Sequence, residues 1–164
     1  MNIDLHPFQI SDLPFLEEML YEAVFWRKGP DTPSFEEARA LTDVRESIAA
    51  MGSREGDAAV IASTNGRNPV GAAWMRYWDA ENDVRGFIAE DIPVLALGVK
   101  AGFRNQGIGG MMIDWLVEYA EQRSIPTISL CVSKDNRALN LYRKKGFLEY
   151  SDLGHSFNMK RSIV

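Results

Sequence analysis

Residues 104–110 read Arg104-Asn105-Gln106-Gly107-Ile108-Gly109-Gly110. A glycine-rich turn that opens a helix aims several unpaired N–H groups at one point, and the helix dipole adds partial positive charge there. Glycine keeps Cβ atoms out of an anion's approach. Arg104 can add a planar, permanently charged fork to the same anion. The chemistry this spacing suggests is the binding of a pyrophosphate. The plain alternative, a turn that joins a strand to a helix, stays open on this stretch alone. Two other phosphate motifs do not fit. A Walker loop needs Lys-Ser/Thr after its second glycine, and a dinucleotide fingerprint needs glycine at position 112, which is Met112.

A second reactive stretch follows, with Asn136, Ala138, Leu141, Tyr142, Gly146 and Phe147 at fixed intervals. Tyr142 falls one helical turn after Ala138, so its ring can be core packing or its hydroxyl a proton donor. The one cysteine, Cys131, sits in the alternating run Ile128-Ser129-Leu130-Cys131-Val132 and reads as a small hydrophobe in a strand. It allows no intramolecular disulfide and no cysteine cluster for zinc. His6 and His155 are far apart, lie in expected strands and are not expected to bind metal; no metal is expected at all.

These residues need a scaffold. An apolar run over residues 94–99 reads as a buried strand leading into the glycine turn. A helix over 108–119 carries Met111, Met112, Trp115 and Leu116. Ser124-Ile125-Pro126 ends it. A strand at 127–132 then implies a parallel crossover. Asp135 or Asn136 opens a further helix to Lys145, with Gly146 as its stop. Residues 147–150 and 155–160 form a last hairpin.

Upstream, Ile3, Leu5 and Phe8 suggest an edge strand with Pro7 near its end. Ser11 or Asp12 caps a helix with Pro14 in its first turn. Ser34 and Glu37 make a capping box for a second helical stretch to about Met51, with a break near Thr42-Asp43. Strands at 57–64 and 70–78 flank Asn65-Gly66 as a hairpin. In the second, Ala72, Trp74, Arg76 and Trp78 share one face and Ala73, Met75 and Tyr77 the other. Residues 79–93 form an acidic connection of undefined ends.

At 164 residues the chain is expected to be one domain, 1–164, with a real core. A net charge of −5 disfavours nonspecific nucleic-acid or anionic-membrane binding and mildly favours a cationic partner such as an amine. The N-terminus lacks the basic and apolar regions of a signal peptide, and no run approaches membrane-spanning length. The cytoplasm is the expected compartment. Phe25, Trp26, Trp74, Tyr77 and Trp78 can line a cleft or fill a core.

The pattern N-x-x-A-x-x-L-Y-x-x-x-G-F, about thirty residues after R-x-x-G-x-G, resembles the GNAT superfamily of N-acetyltransferases. The resemblance spans residues 94–147, and the strand–helix–helix–strand–strand order before it agrees. It implies the GNAT-type acyl-CoA N-acyltransferase fold, of α/β (α+β) class: a mixed central sheet with a splayed parallel pair, flanked by about four helices. It further implies acetyl-CoA as cosubstrate, its pantetheine arm pairing with backbone near Leu97 and Val99. The Val99 N–H would serve the thioester oxygen. The loop Arg104, Asn105, Gln106, Gly107, Ile108, Gly109 and Gly110 would hold the pyrophosphate, with Asn136 touching the cofactor. Tyr142 would be the general acid in direct transfer to a primary amine within a ternary complex.

The expected strand 94–99 carries no acid, a departure from the family pattern that leaves the base unassigned; Glu90, Asp91, Asp79 and Glu81 lie nearby in sequence, and Glu90 is the one named as candidate. The acceptor class is open between a small-molecule amine and a protein amine. Another acyl donor, or an acyl-CoA-binding sensor or interaction module without turnover, are the competing readings. Many members pair through their sheets, so the resemblance also leaves a homodimer open.

Overall fold

The computed structural model describes residues 2–163. Seven strands form one sheet in the order β1-β2-β3-β4-β5-β7-β6. They are β1 Ile3–Pro7, β2 Ala58–Thr64, β3 Asn68–Arg76, β4 Val94–Val99, β5 Thr127–Ser133, β6 Leu148–Asp152 and β7 Ser156–Ser162. Every neighbouring pair is antiparallel except β4 and β5. The helices are α1 Leu13–Val24, α2 Phe35–Arg39, α3 Thr42–Glu46, α4 Ile108–Gln122 and α5 Ala138–Lys144. The mixed α/β class and the mixed sheet are as expected.

Local signals explain most boundaries. Pro14 sits in the first turn of α1, where its missing N–H costs nothing. Asp12 precedes α1, but its carboxylate accepts the Gln9 N–H at 2.8 Å and makes no cap on α1 itself. The capping box at α2 is present: Ser34 Oγ accepts the Glu37 N–H at 3.1 Å, and Glu37 Oε1 accepts the Ser34 N–H at 3.2 Å. The β2–β3 loop spans residues 65–67; Asn65 and Gly66 are at positive φ (50° and 68°), and the Arg67 N–H closes on the Thr64 carbonyl at 3.1 Å.

Some boundaries differ from the sequence reading. The second helical stretch breaks after Arg39, close to the expected place, and resumes at Thr42, but it ends at Glu46 rather than near Met51. β3 ends at Arg76 rather than at 78. α4 continues to Gln122, and Ser124 at φ 56° lets the Ile125 N–H close back on the Ala120 carbonyl at 2.9 Å. The last hairpin turns later than expected, because Gly154 at φ 95° donates its N–H to Asp152 Oδ1 at 2.8 Å. His155 therefore lies in that turn and not in a strand.

The core has two layers. On the front face α1 lays Phe15, Leu16, Met19 and Leu20 on Ala59, Ile61, Ala72 and Trp74. On the back face α4 lays Met112, Ile113 and Leu116 on Ala73, Met75, Leu95 and Leu130. The period-2 alternation of β3 thus divides as the sequence implies, with Trp74 in the core. Arg76 is only 1% exposed. Its Nε and Nη2 donate to Asp57 at 2.9 and 2.7 Å, and Nη1 donates to the Ala49 carbonyl at 2.9 Å. Asp57 also accepts the Gly52 and Arg54 N–H groups. Burial alone would raise the Asp57 carboxyl, but these donors and the guanidinium charge outweigh it and hold it below the usual range.

Candidate active site

The two edges of β4 differ. Its β3 ladder runs from Arg76↔Val94 to Gly71↔Val99, and the Lys100 N–H then donates to the Val70 carbonyl at 2.8 Å. Among the described residues its β5 edge has one register pair, Val94↔Ser129, where the Ser129 N–H meets the Pro93 carbonyl at 3.0 Å. Successive residues of a strand direct their N–H and C=O to opposite edges. Lys100 faces β3, so Gly98 and Ala96 do too. Leu97 and Val99 therefore present their backbone groups to the side where β5 has parted. The parallel pair is splayed, as the sequence reading expects.

Each half of the sheet is held by its own partners. β5 stays with β7 along its whole length, from Thr127↔Ser162 to Ser133↔Ser156. β4 is held against α1 because residue 98 is glycine: a Cβ there would collide with the Met19 carbonyl oxygen. An isolated glycine in an apolar strand signals such a close approach, and that signal was available in the sequence.

The opening ends at the N-terminus of α4. After a 3-10 turn at Ala101–Phe103, Asn105 (φ 61°) and Gly107 (φ 84°) reverse the chain, and Gly107 is the N-cap. The first helical bond runs from the Met111 N–H to the Gly107 carbonyl at 3.1 Å. The N–H groups before it have no partner within the helix, and no side chain caps this end. An anion cradle is the arrangement such an end can supply.

The three glycines serve different ends. Gly107 is needed for its left-handed φ, and a Cβ there would meet open space. At Gly109 a Cβ would lie 3.0 Å from Leu141 Cδ2, and at Gly110 3.0 Å from Lys145 Cε. The last two glycines therefore let α5 pack across the start of α4. The Ile108 side chain is buried in the core, which leaves its backbone for the site.

Other expected site residues have definite partners. Arg104 Nη2 pairs with Glu22 Oε2 of α1 at 2.7 Å, and Nε donates to the Val99 carbonyl at 3.0 Å. Gln106 Nε2 donates to the Gly102 carbonyl at 3.4 Å. Asn136 lies two residues before α5, and its Oδ1 accepts the Ala138 N–H at 2.9 Å. Tyr142 is buried, with its ring edge-on to Phe147 at 5.9 Å, and burial pushes its phenol far above the ordinary range. Glu90 is exposed, precedes the vertex at Val94, and accepts the Ala80 N–H at 3.4 Å. The structure thus gathers Leu97, Val99 and the 104–110 loop along one opening, and keeps Glu90 in the 79–93 connection, on the Ala80 N–H.

The sequence reading missed an ion pair between Arg27 and Asp135, which ties the end of α1 to the loop between β5 and α5. Its partners are 108 residues apart, and no local pattern announces it.

A family model described as acetyltransferase (GNAT) family matches residues 20–147. Comparison with curated proteins gives no match. Solved structures with this fold include PaiA N-acetyltransferase from Thermoplasma acidophilum in complex with coenzyme A. It is 18% identical, with a TM-score of 0.70 over 99% of both chains. A GNAT-family acetyltransferase from Staphylococcus aureus Mu50 is 19% identical, with a TM-score of 0.71 over 99% of this chain and 100% of that one. The ribosomal-protein-S18-alanine N-acetyltransferase of Escherichia coli is 18% identical, with a TM-score of 0.66 over 99% and 94%. At these identities the structures speak for the fold, and the match over residues 20–147 shows the family: the chain belongs to the GNAT acetyltransferases.

Proposed function

We propose that residues 1–164 act as one acetyl-CoA-dependent N-acetyltransferase domain that moves an acetyl group to a primary amine by direct attack in a ternary complex. The observation that carries this reading is the parting of β4 from β5 beyond Val94↔Ser129, beside an uncapped helix start. Acetyl-CoA supplies the activated acyl carbon. The N–H groups of residues 106–110 hold the pyrophosphate, with Arg104 recruited from Glu22 and Asn105 and Asn136 shaping the rim. The coenzyme A in the Thermoplasma relative supports the same ligand class here.

An arm entering from the α4 end passes Val99 first and Leu97 second. Leu97 is nearer the vertex, so its N–H is the better-placed donor to the acyl oxygen, ahead of the Val99 N–H that the resemblance implies. A preorganised donor at that oxygen contributes on the order of 3–4 kcal/mol as negative charge builds there. The new N–C bond forms as the carbonyl π pair moves to oxygen, and the oxyanion then collapses with loss of the C–S bond. Tyr142 holds the proton for the departing sulfur. Its raised pKa keeps the phenol neutral, and the burial that raises it also raises that of a thiol leaving into the same site. Glu90 is the proposed acceptor of the amine proton, acting through water.

Thiol release from acetyl-CoA with an amine panel tests the reading. Turnover is expected with the wild type, and Tyr142→Phe should lower kcat about a hundredfold or more with little change in acetyl-CoA affinity. An unchanged kcat removes Tyr142 from the mechanism. Tight acetyl-CoA binding without transfer to any amine supports the sensor reading instead.

A further inference from the structure

The half-sheet β5-β7-β6 has two unlike faces. Ile128, Leu130, Val132 and Met159 are buried on the back with α4. Alternation puts Ser129, Cys131 and Ser133 on the front, with their cross-strand partners Lys160, Asn158 and Ser156. This front row is polar, and it borders the opening directly. Cys131 lies two residues past the vertex at Ser129, and Ala96 lies two past Val94, so the two are level across the split. The 79–93 connection reaches this spot. Arg85 Nη2 is 3.5 Å from Cys131 Sγ, and a Cβ on Gly86 would lie 2.9 Å from Val94 Cγ1 and 3.0 Å from the Cys131 nitrogen.

In this row sits Asn158 Oδ1. Among the described residues it is the one buried side-chain oxygen or nitrogen without a hydrogen-bond partner. Buried polar atoms are satisfied almost everywhere in folded proteins, so an orphan requires a reason. Asn158 is the β7 partner of Cys131, one strand spacing of about 4.8 Å from the edge of the opening. Oδ1 is covered in this structure, so an acceptor that spans from the acyl carbon to it must displace what lies over it.

We infer that Asn158 is an acceptor-binding residue: its Oδ1 takes a hydrogen bond from an N–H that the substrate carries beside its reacting amine. The inference rests on the transferase reading above and deepens it. The oxygen can only accept, so the group it selects is a donor, either a second ammonium or a peptide amide. A site built to hydrogen-bond such a group discriminates against analogues that lack it.

The test measures acceptor KM by thiol release for butylamine, putrescine and the peptide Ala-Gly-amide, with wild type, Asn158→Leu and Asn158→Asp. Putrescine offers a second ammonium, the peptide an amide, and butylamine neither. Asn158→Leu should raise KM at least tenfold for putrescine or the peptide and less than threefold for butylamine. The one affected identifies the donor. Asn158→Asp keeps the accepting oxygen and should restore most of the loss. Acetyl-CoA Kd should stay within twofold and Tm should not fall. An equal rise for all three amines with a lower Tm means a structural role and overturns the inference. So do unmoved KM values with an active wild type. A wild type that acetylates other amines of the panel but none of these three overturns the inference alone, and one that binds acetyl-CoA and acetylates no amine overturns the transferase reading as well.

Discussion

Along its β3 edge β4 is laddered from Val94 to Val99, whereas along its β5 edge it pairs at Val94 and then parts. The residues are the same; the neighbours differ. On the first edge, strand pairing consumes the backbone groups of Ala96 and Gly98. On the second, those of Leu97 and the Val99 N–H stay directed at an opening, while the Val99 carbonyl accepts from Arg104. A strand held on one side and open on the other is rigid enough to position a ligand and still has backbone groups to offer it. The cost of opening the sheet is offset by anchors elsewhere: the Asp57–Arg76 clamp beside β3 and the close approach of α1 at Gly98.

If the laddered side is the anchor, breaking it should cost most. Asp57→Asn leaves the Arg76 guanidinium buried with a weaker partner, and the expected loss is about 3–5 kcal/mol, read by denaturant unfolding. The same pair has a pH signature. The Asp57 carboxyl is held below its unfolded value, so its stabilisation is present above about pH 4 and fades as pH falls through the lower folded pKa. The stability gap between wild type and Asp57→Asn should therefore narrow in acid; a constant gap would detach Asp57 from this role.

Gly98→Val should come next. It forces a side chain into the Met19 backbone, with a loss of about 1–3 kcal/mol and a visible drop in Tm. An unchanged Tm would mean that α1 does not press on β4 as described.

The open side should answer in binding more than in stability. Gly107→Val demands a β-branched residue at φ 84°, a strain of about 1–2 kcal/mol. Calorimetry should show acetyl-CoA affinity lower by tenfold or more, and unaltered affinity would contradict the anion cradle. The smallest effect is expected at Glu22→Gln. This half-exposed pair with Arg104 should contribute under about 1 kcal/mol to stability, while release of Arg104 tightens acetyl-CoA binding a few-fold at low salt. Weaker binding would mean that Glu22 positions Arg104 for the anion instead of competing with it.

How much of this was legible beforehand follows from range in sequence. β4 emerges with its bounds intact because six apolar residues precede a turn. The Ser34–Glu37 box and the Asn65-Gly66 turn are short-range chemistry, and both are present. The order of the two motifs sufficed for the family. The sequence suggests room for a phosphate at Gly109 and Gly110; the structure shows room for α5 there, which no local reading could anticipate. The sequence shows the charge of Arg104 but not its partner Glu22, which is 82 residues away.

The amino-acid order by itself determined the strand, the glycine turn, the helix it opens and the motif spacing, since each depends on residues within a few positions of one another. Only the tertiary structure decided where β4 and β5 part, which backbone groups face the opening, and that Asn158 stands beside it without a partner. Those outcomes depend on segments brought together from across the chain, and pairing at that range leaves no periodic trace along it.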